Sequence, residues 1–152
     1  MKRSEINSAV QEAEKTFERH FWILPPEPRW DVTDFGSGDF ANIGRTIFTL
    51  RNGRHHDPDH PKSYAEKVMC LFPAQKSVIH CHRHKREDII CRSGGNVAIE
   101  LWRSLSNGKL SPKPLVISLD GCATPVDAGA VLRLEPGQSV CVPPLVYHRF
   151  WG

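Results

Sequence analysis

The chain has 152 residues, 39% hydrophobic and 24% charged, which is ordinary for a globular domain able to bury a core without disulfide staples. Its 20 basic residues against 17 acidic ones leave a net charge of +3, scattered rather than striped, which argues against a nucleic-acid partner. No stretch has the length and apolarity of a membrane span, which argues against a membrane partner.

The first 21 residues are mostly polar and lack the apolar run of a signal peptide. The cysteines Cys70, Cys81, Cys91, Cys122 and Cys141 are odd in number and contain no CxxC pair. Together these read as a cytoplasmic protein with reduced thiols. Ser4 is a plausible N-cap, and Ile6, Val10, Ala13, Phe17 and Phe21 then recur at three- and four-residue steps. That spacing predicts an amphipathic helix over about 4–21, stopped by Pro25 and Pro26.

Residues 30–44, rich in Asp, Gly, Asn and Ser, read as loop. Thr46–Leu50 reads as a strand ended by the Asn52-Gly53 turn. His55, His56 and His60 lie in a segment punctuated by Pro58 and Pro61 and read as solvent-exposed loop. Short strands then follow at 68–72, 77–82, 87–91, 97–102, 115–119, 130–134 and 139–142, separated by turns such as Ser93-Gly94-Gly95-Asn96 and Pro136-Gly137. The final residues His148 to Gly152 look like one more strand, cut off, so the chain is expected to be a C-terminally shortened form. Many short strands between turn signals predict a single all-β domain, a sandwich or small barrel over about 45–152.

One constellation stands out in this frame. His80 and His82 are two residues apart on a predicted strand, so alternation places both imidazoles on one face. Glu87 follows at an odd offset, and the four polar residues Arg83, His84, Lys85 and Arg86 supply the turn that redirects it. His148 comes from a distant strand that a barrel would bring alongside. Three imidazoles and a carboxylate suit a first-row divalent metal and leave coordination positions open. Lys85, two residues before Glu87, would share its face. Cys81 should point away from the metal, and Asp88 should point opposite to Glu87. Gln75, five residues before His80, could hydrogen-bond a substrate hydroxyl or simply open a strand as a polar residue.

The spacing His80-x-His82-x4-Glu87-x6-Gly94, then Gly137-x5-Pro143-x4-His148, resembles the two motifs of the cupin superfamily. Ala74 and Leu145 stand where those motifs usually carry glycine. The opening Met1 to Asn7, Leu50 to Gly53, Tyr64 to Met69, His82 to Ile90, Gly94 to Asn96 and Pro143 to Gly152 further resemble the D-lyxose ketol-isomerase family. That resemblance implies a cupin jelly-roll barrel and a manganese-dependent homodimer. The implied reaction interconverts D-lyxose with D-xylulose and D-mannose with D-fructose by enediolate proton transfer. It assigns His80, His82, Glu87 and His148 to the metal and Lys85 to catalysis and substrate binding. It also implies a partner glutamate on a strand beyond Gly152. An iron-dependent cupin dioxygenase and a non-catalytic sugar-binding cupin are the alternatives that the same ligand frame leaves open.

Overall fold

The computed structural model describes residues 29–52, 58 and 63–152. The helix expected over 4–21 and the histidines at 55, 56 and 60 lie outside the described residues. Ten strands and no helix occur among those that are described. The chain divides into two compact units, residues 1–75 and 76–152.

In the first unit, β1 (Arg29–Thr33), β2 (Arg45–Asn52) and β3 (Ala65–Cys70) form an antiparallel sheet in the order β1-β2-β3, with a bulge between Thr49 and Arg51. Strand β1 lies partly in the segment expected to be loop. Its Trp30, Asp31 and Val32 pair with Phe48, Ile47 and Thr46, so β2 supplies an order that the local composition does not. Between these strands, the Asp34 carboxylate accepts the amides of Gly36 and Gly38 at 2.9 and 2.8 Å. Those two bonds lower its pKa below the ordinary carboxylate value.

The second unit holds β4 (Glu87–Ile90), β5 (Val97–Arg103), β6 (Leu115–Leu119), β7 (Cys122–Val126), β8 (Val131–Leu134), β9 (Ser139–Val142) and β10 (Val146–Trp151). They form two antiparallel sheets, ordered β10-β5-β8 and β4-β9-β6-β7. Alternation fills the interior: Ile99 and Leu101 of β5, Val140 and Val142 of β9, Leu115 and Ile117 of β6, and Val146 and Phe150 of β10 are all buried.

The pairings are nested. Strand β5 pairs with β8, β4 pairs with β9, and the segment at 76–80 bridges to β10 through Lys76–Trp151 and His80–His148. Successive nested pairs fall in alternate sheets. This is one long hairpin rolled up, the connectivity of a jelly roll.

Two strands depart from the sequence reading. Segment 77–82 is not a continuous strand but touches β10 at separate bridges. Strand β7 was unexpected, although Asp120-Gly121 is a two-residue hairpin signal. Both residues adopt positive φ (48° and 82°), as the tight turn from β6 to β7 requires. Pro125 is tolerated because β7 is an edge strand.

Candidate metal centre

Four side chains of the second unit converge. His80, His82, Glu87 and His148 each offer one ligand atom, and these atoms lie within 4.8 Å of one another. Each arrives by a different local cause. His80 is carried on a two-bond antiparallel bridge with His148. The His82 carbonyl accepts the amide of Leu145 at 2.8 Å, which ties the second histidine to the entry of β10. Glu87 opens β4 after the polar turn and sits opposite Val142 of β9. His148 lies mid-β10, on the same alternating face as the buried Val146 and Phe150, and is fully buried.

Two backbone carbonyls orient the rings. His80 Nδ1 lies 2.9 Å from Val78 O, and His148 Nδ1 lies 3.2 Å from Val146 O. A carbonyl can only accept, so a neutral ring held this way carries its proton on Nδ1 and its lone pair on Nε2. Sequence reasoning missed these two partners, because every residue has a carbonyl and nothing in its type marks it.

Glu87 Oε2 then lies 3.1 Å from His82 Nε2 and 3.2 Å from His148 Nε2. Both nitrogens are buried and have no hydrogen-bond partner among the described residues, so the nearby oxygen sits outside hydrogen-bond alignment. For His148 the pair is a lone pair facing a carboxylate, which repels unless a cation lies between them. A first-row ion with bonds of about 2.0–2.2 Å holds ligand atoms at right angles about 3 Å apart. The donor set and its orphaned nitrogens therefore fit a divalent metal.

The electrostatics agree. Burial would raise the Glu87 carboxyl, but its neighbours, the Lys85 ammonium at 2.6 Å among them, hold it far below the usual carboxylate range. Burial pushes the His82 imidazole below its ordinary value, Glu87 opposes this, and Lys85 and His148 add to it. The carboxylate is thus ionised and the imidazole neutral near pH 7, the forms in which both bind metals.

Lys85 Nζ lies 2.6 Å from Glu87 Oε1, with its side chain 57% exposed. Cys81 and Tyr147 meet, and their hydrogen bond is the main cause of a raised Tyr147 hydroxyl pKa. Asp88 alternates away from Glu87 and pairs in register with Cys141, whose thiol is raised by burial and then by that carboxylate. Gln75 belongs to the other unit. It is buried, its Nε2 donating to Phe40 O and its Oε1 accepting from Phe72 N at 3.0 Å. The structure thus brings Lys85 to the four-residue cluster and leaves the Gln75 amide engaged by backbone.

The two motif positions that lack glycine, Ala74 and Leu145, both have positive φ, 63° and 62°. Gly94 and Gly137 of the same motifs do as well, at 88° and 96°. The backbone shape of the motifs is therefore kept even where the residue is not.

A family model described as D-lyxose isomerase matches residues 27–152. The chain belongs to the D-lyxose isomerase family. A D-lyxose/D-mannose isomerase of Escherichia coli O157:H7 is 40% identical over 175 residues, an alignment covering all of this chain and 77% of that protein. A protein of the same description from Serratia proteamaculans is 39% identical with the same coverage. Among solved structures, a predicted oxalate decarboxylase from Thermotoga maritima is 16% identical, with 81% of this chain and 89% of that one covered. Its TM-score is 0.25, too low to carry an argument about fold. Membership of the family makes the chain a relative of sugar isomerases, and no described helix is long and apolar enough to cross a membrane.

Proposed function

We propose that this chain is a metal-dependent aldose–ketose isomerase of the cupin type, interconverting D-lyxose with D-xylulose and D-mannose with D-fructose. The observation that carries the reading is the convergence of His80, His82, Glu87 and His148 within 4.8 Å, in a chain of this family. These four residues would hold the ion, Mn(2+) on the family resemblance, in a donor set of three nitrogens and one oxygen that accepts first-row divalent ions. When bound, the ion supplies Lewis acidity and a template for two adjacent sugar oxygens.

The remaining chemistry belongs to the protein. Isomerisation removes a proton from C2 of the aldose and returns one to C1, which needs a positioned acid or base beside the sugar. Lys85 is our candidate for that role: its Nζ is next to the ligand set and still open to solvent on one side. The imidazoles of His80 and His148, oriented by Val78 O and Val146 O, keep the site's geometry fixed while the proton moves. A homodimer in the cytoplasm completes the reading, on the family resemblance and the scattered reduced cysteines.

Incubation of the Mn(2+)-loaded chain with D-lyxose, followed by assay for D-xylulose, tests the proposal. Metal-dependent D-xylulose formation is expected. Oxygen consumption without ketose formation would instead identify a dioxygenase. Sugar binding without exchange of the C2 proton would identify a binding module. Sedimentation of the same sample reports the dimer.

A further inference from the structure

Glu87 divides its two oxygens between different partners. Oε2 faces the imidazoles, 3.1 Å from His82 Nε2 and 3.2 Å from His148 Nε2. Oε1 holds Lys85 Nζ at 2.6 Å. The division follows from the chain: Glu87 is fixed at the start of β4 opposite Val142, and Lys85 sits two residues earlier in the turn, its side chain largely in water. A carboxylate with both oxygens free can take two positions on a cation. One whose second oxygen is engaged by an ammonium offers a single position.

We infer that Lys85 is a positioning residue that keeps Glu87 a one-oxygen ligand and so leaves one more coordination position open for substrate. The inference rests on the metal reading of this site, and it is separate from the proton-transfer role. An arginine could engage Oε1 equally well, but it stays protonated and could not shuttle a proton. The arrangement places a positive charge beside a dication, which weakens metal binding by Coulomb repulsion. Removing that charge should therefore tighten binding while closing a position.

The test uses the 152-residue chain and its Lys85→Met and Lys85→Arg variants, stripped of metal and titrated with Mn(2+). Water-proton relaxation counts the exchangeable waters on the bound ion, and circular dichroism confirms that each variant is folded. Lys85→Met is expected to bind Mn(2+) several-fold more tightly and to carry one water fewer, while Lys85→Arg keeps the native water count. A Lys85→Met variant with native affinity and native water count overturns the positioning role. A native chain that binds no Mn(2+) overturns the metal reading beneath it.

Discussion

His80 and His148 face each other across a closed antiparallel bridge, His80 N donating to His148 O at 3.1 Å and His148 N donating to His80 O at 2.9 Å. Their rings lie 4.3 Å apart. Sixty-eight positions of sequence are thereby collapsed onto one rung of a sheet, and the two imidazoles become same-face neighbours by pairing geometry alone.

This pairing makes the two histidines unequal. His148 is fully buried, so His148→Ala should abolish Mn(2+) binding and also destabilise the metal-free chain by about 1–3 kcal/mol. His80 is only half-buried, so His80→Ala should lose metal binding at a smaller cost in stability. Calorimetric titration and thermal unfolding of the two variants check the difference. Equal destabilisation by both would contradict the burial argument.

Leu145 sits at the junction of the site. It donates its amide to His82 O and accepts the amide of Ser104, each at 2.8 Å, with φ at 62° and its side chain 51% exposed. A left-handed non-glycine residue costs about 1–3 kcal/mol, and glycine returns part of that as unfolded-chain entropy. Leu145→Gly should therefore stabilise the chain by about 1 kcal/mol, a rise in Tm of about 2–4 °C. Ala74→Gly, at φ 63°, should act in the same direction.

Gly129 makes the opposite case. Its φ is 76°, and an added Cβ would come within 2.8 Å of Trp102 Nε1 and 3.0 Å of Trp102 Cε2. Strain and overpacking then combine, so Gly129→Ala should cost about 2–4 kcal/mol. Unfolding monitored by tryptophan fluorescence reads both the stability and the displaced indole. An unchanged midpoint would show that the ring yields freely.

Acid should destabilise the metal-free chain in two stages. His82 has a folded pKa below its ordinary 6.5, so as pH falls through 6.5 the unfolded chain takes up the proton first and stability declines. Glu87 has a folded pKa below its ordinary 4.5, so the stability it contributes is present above 4.5 and is lost as pH falls beneath it. Thermal unfolding from pH 8 to 3 should show both limbs, and Glu87→Gln should flatten the lower one. A lower limb unchanged in that variant would remove Glu87 from the acid response.

The cluster of His80, His82, Glu87 and His148 was readable from residue types and spacing, because imidazole and carboxylate are scarce, chemically explicit groups. Most of the strands of the second unit were readable as well: Leu115–Leu119 and Ser139–Val142 have the bounds expected of them, since their apolar alternation is strong and turn residues flank them. Strand β7 could have been found from Asp120-Gly121, a signal present in the sequence and passed over. Strand β1 could not, because Trp30, Asp31, Val32 and Thr33 become a strand only through β2.

By itself, the sequence determined which groups are available: three histidines and a glutamate at family spacing, a lysine beside them, and a polar turn to redirect Glu87. Only the tertiary structure decided how those groups meet. Alternation predicted that His80 and His82 share a face, but the two are placed by separate backbone bonds, to His148 and to Leu145. The ring orientations come from the carbonyls of Val78 and Val146, and the division of Glu87's oxygens comes from Lys85. Backbone hydrogen bonds and long-range pairing carry no residue-type signature, so they become legible only once the hairpin has rolled up.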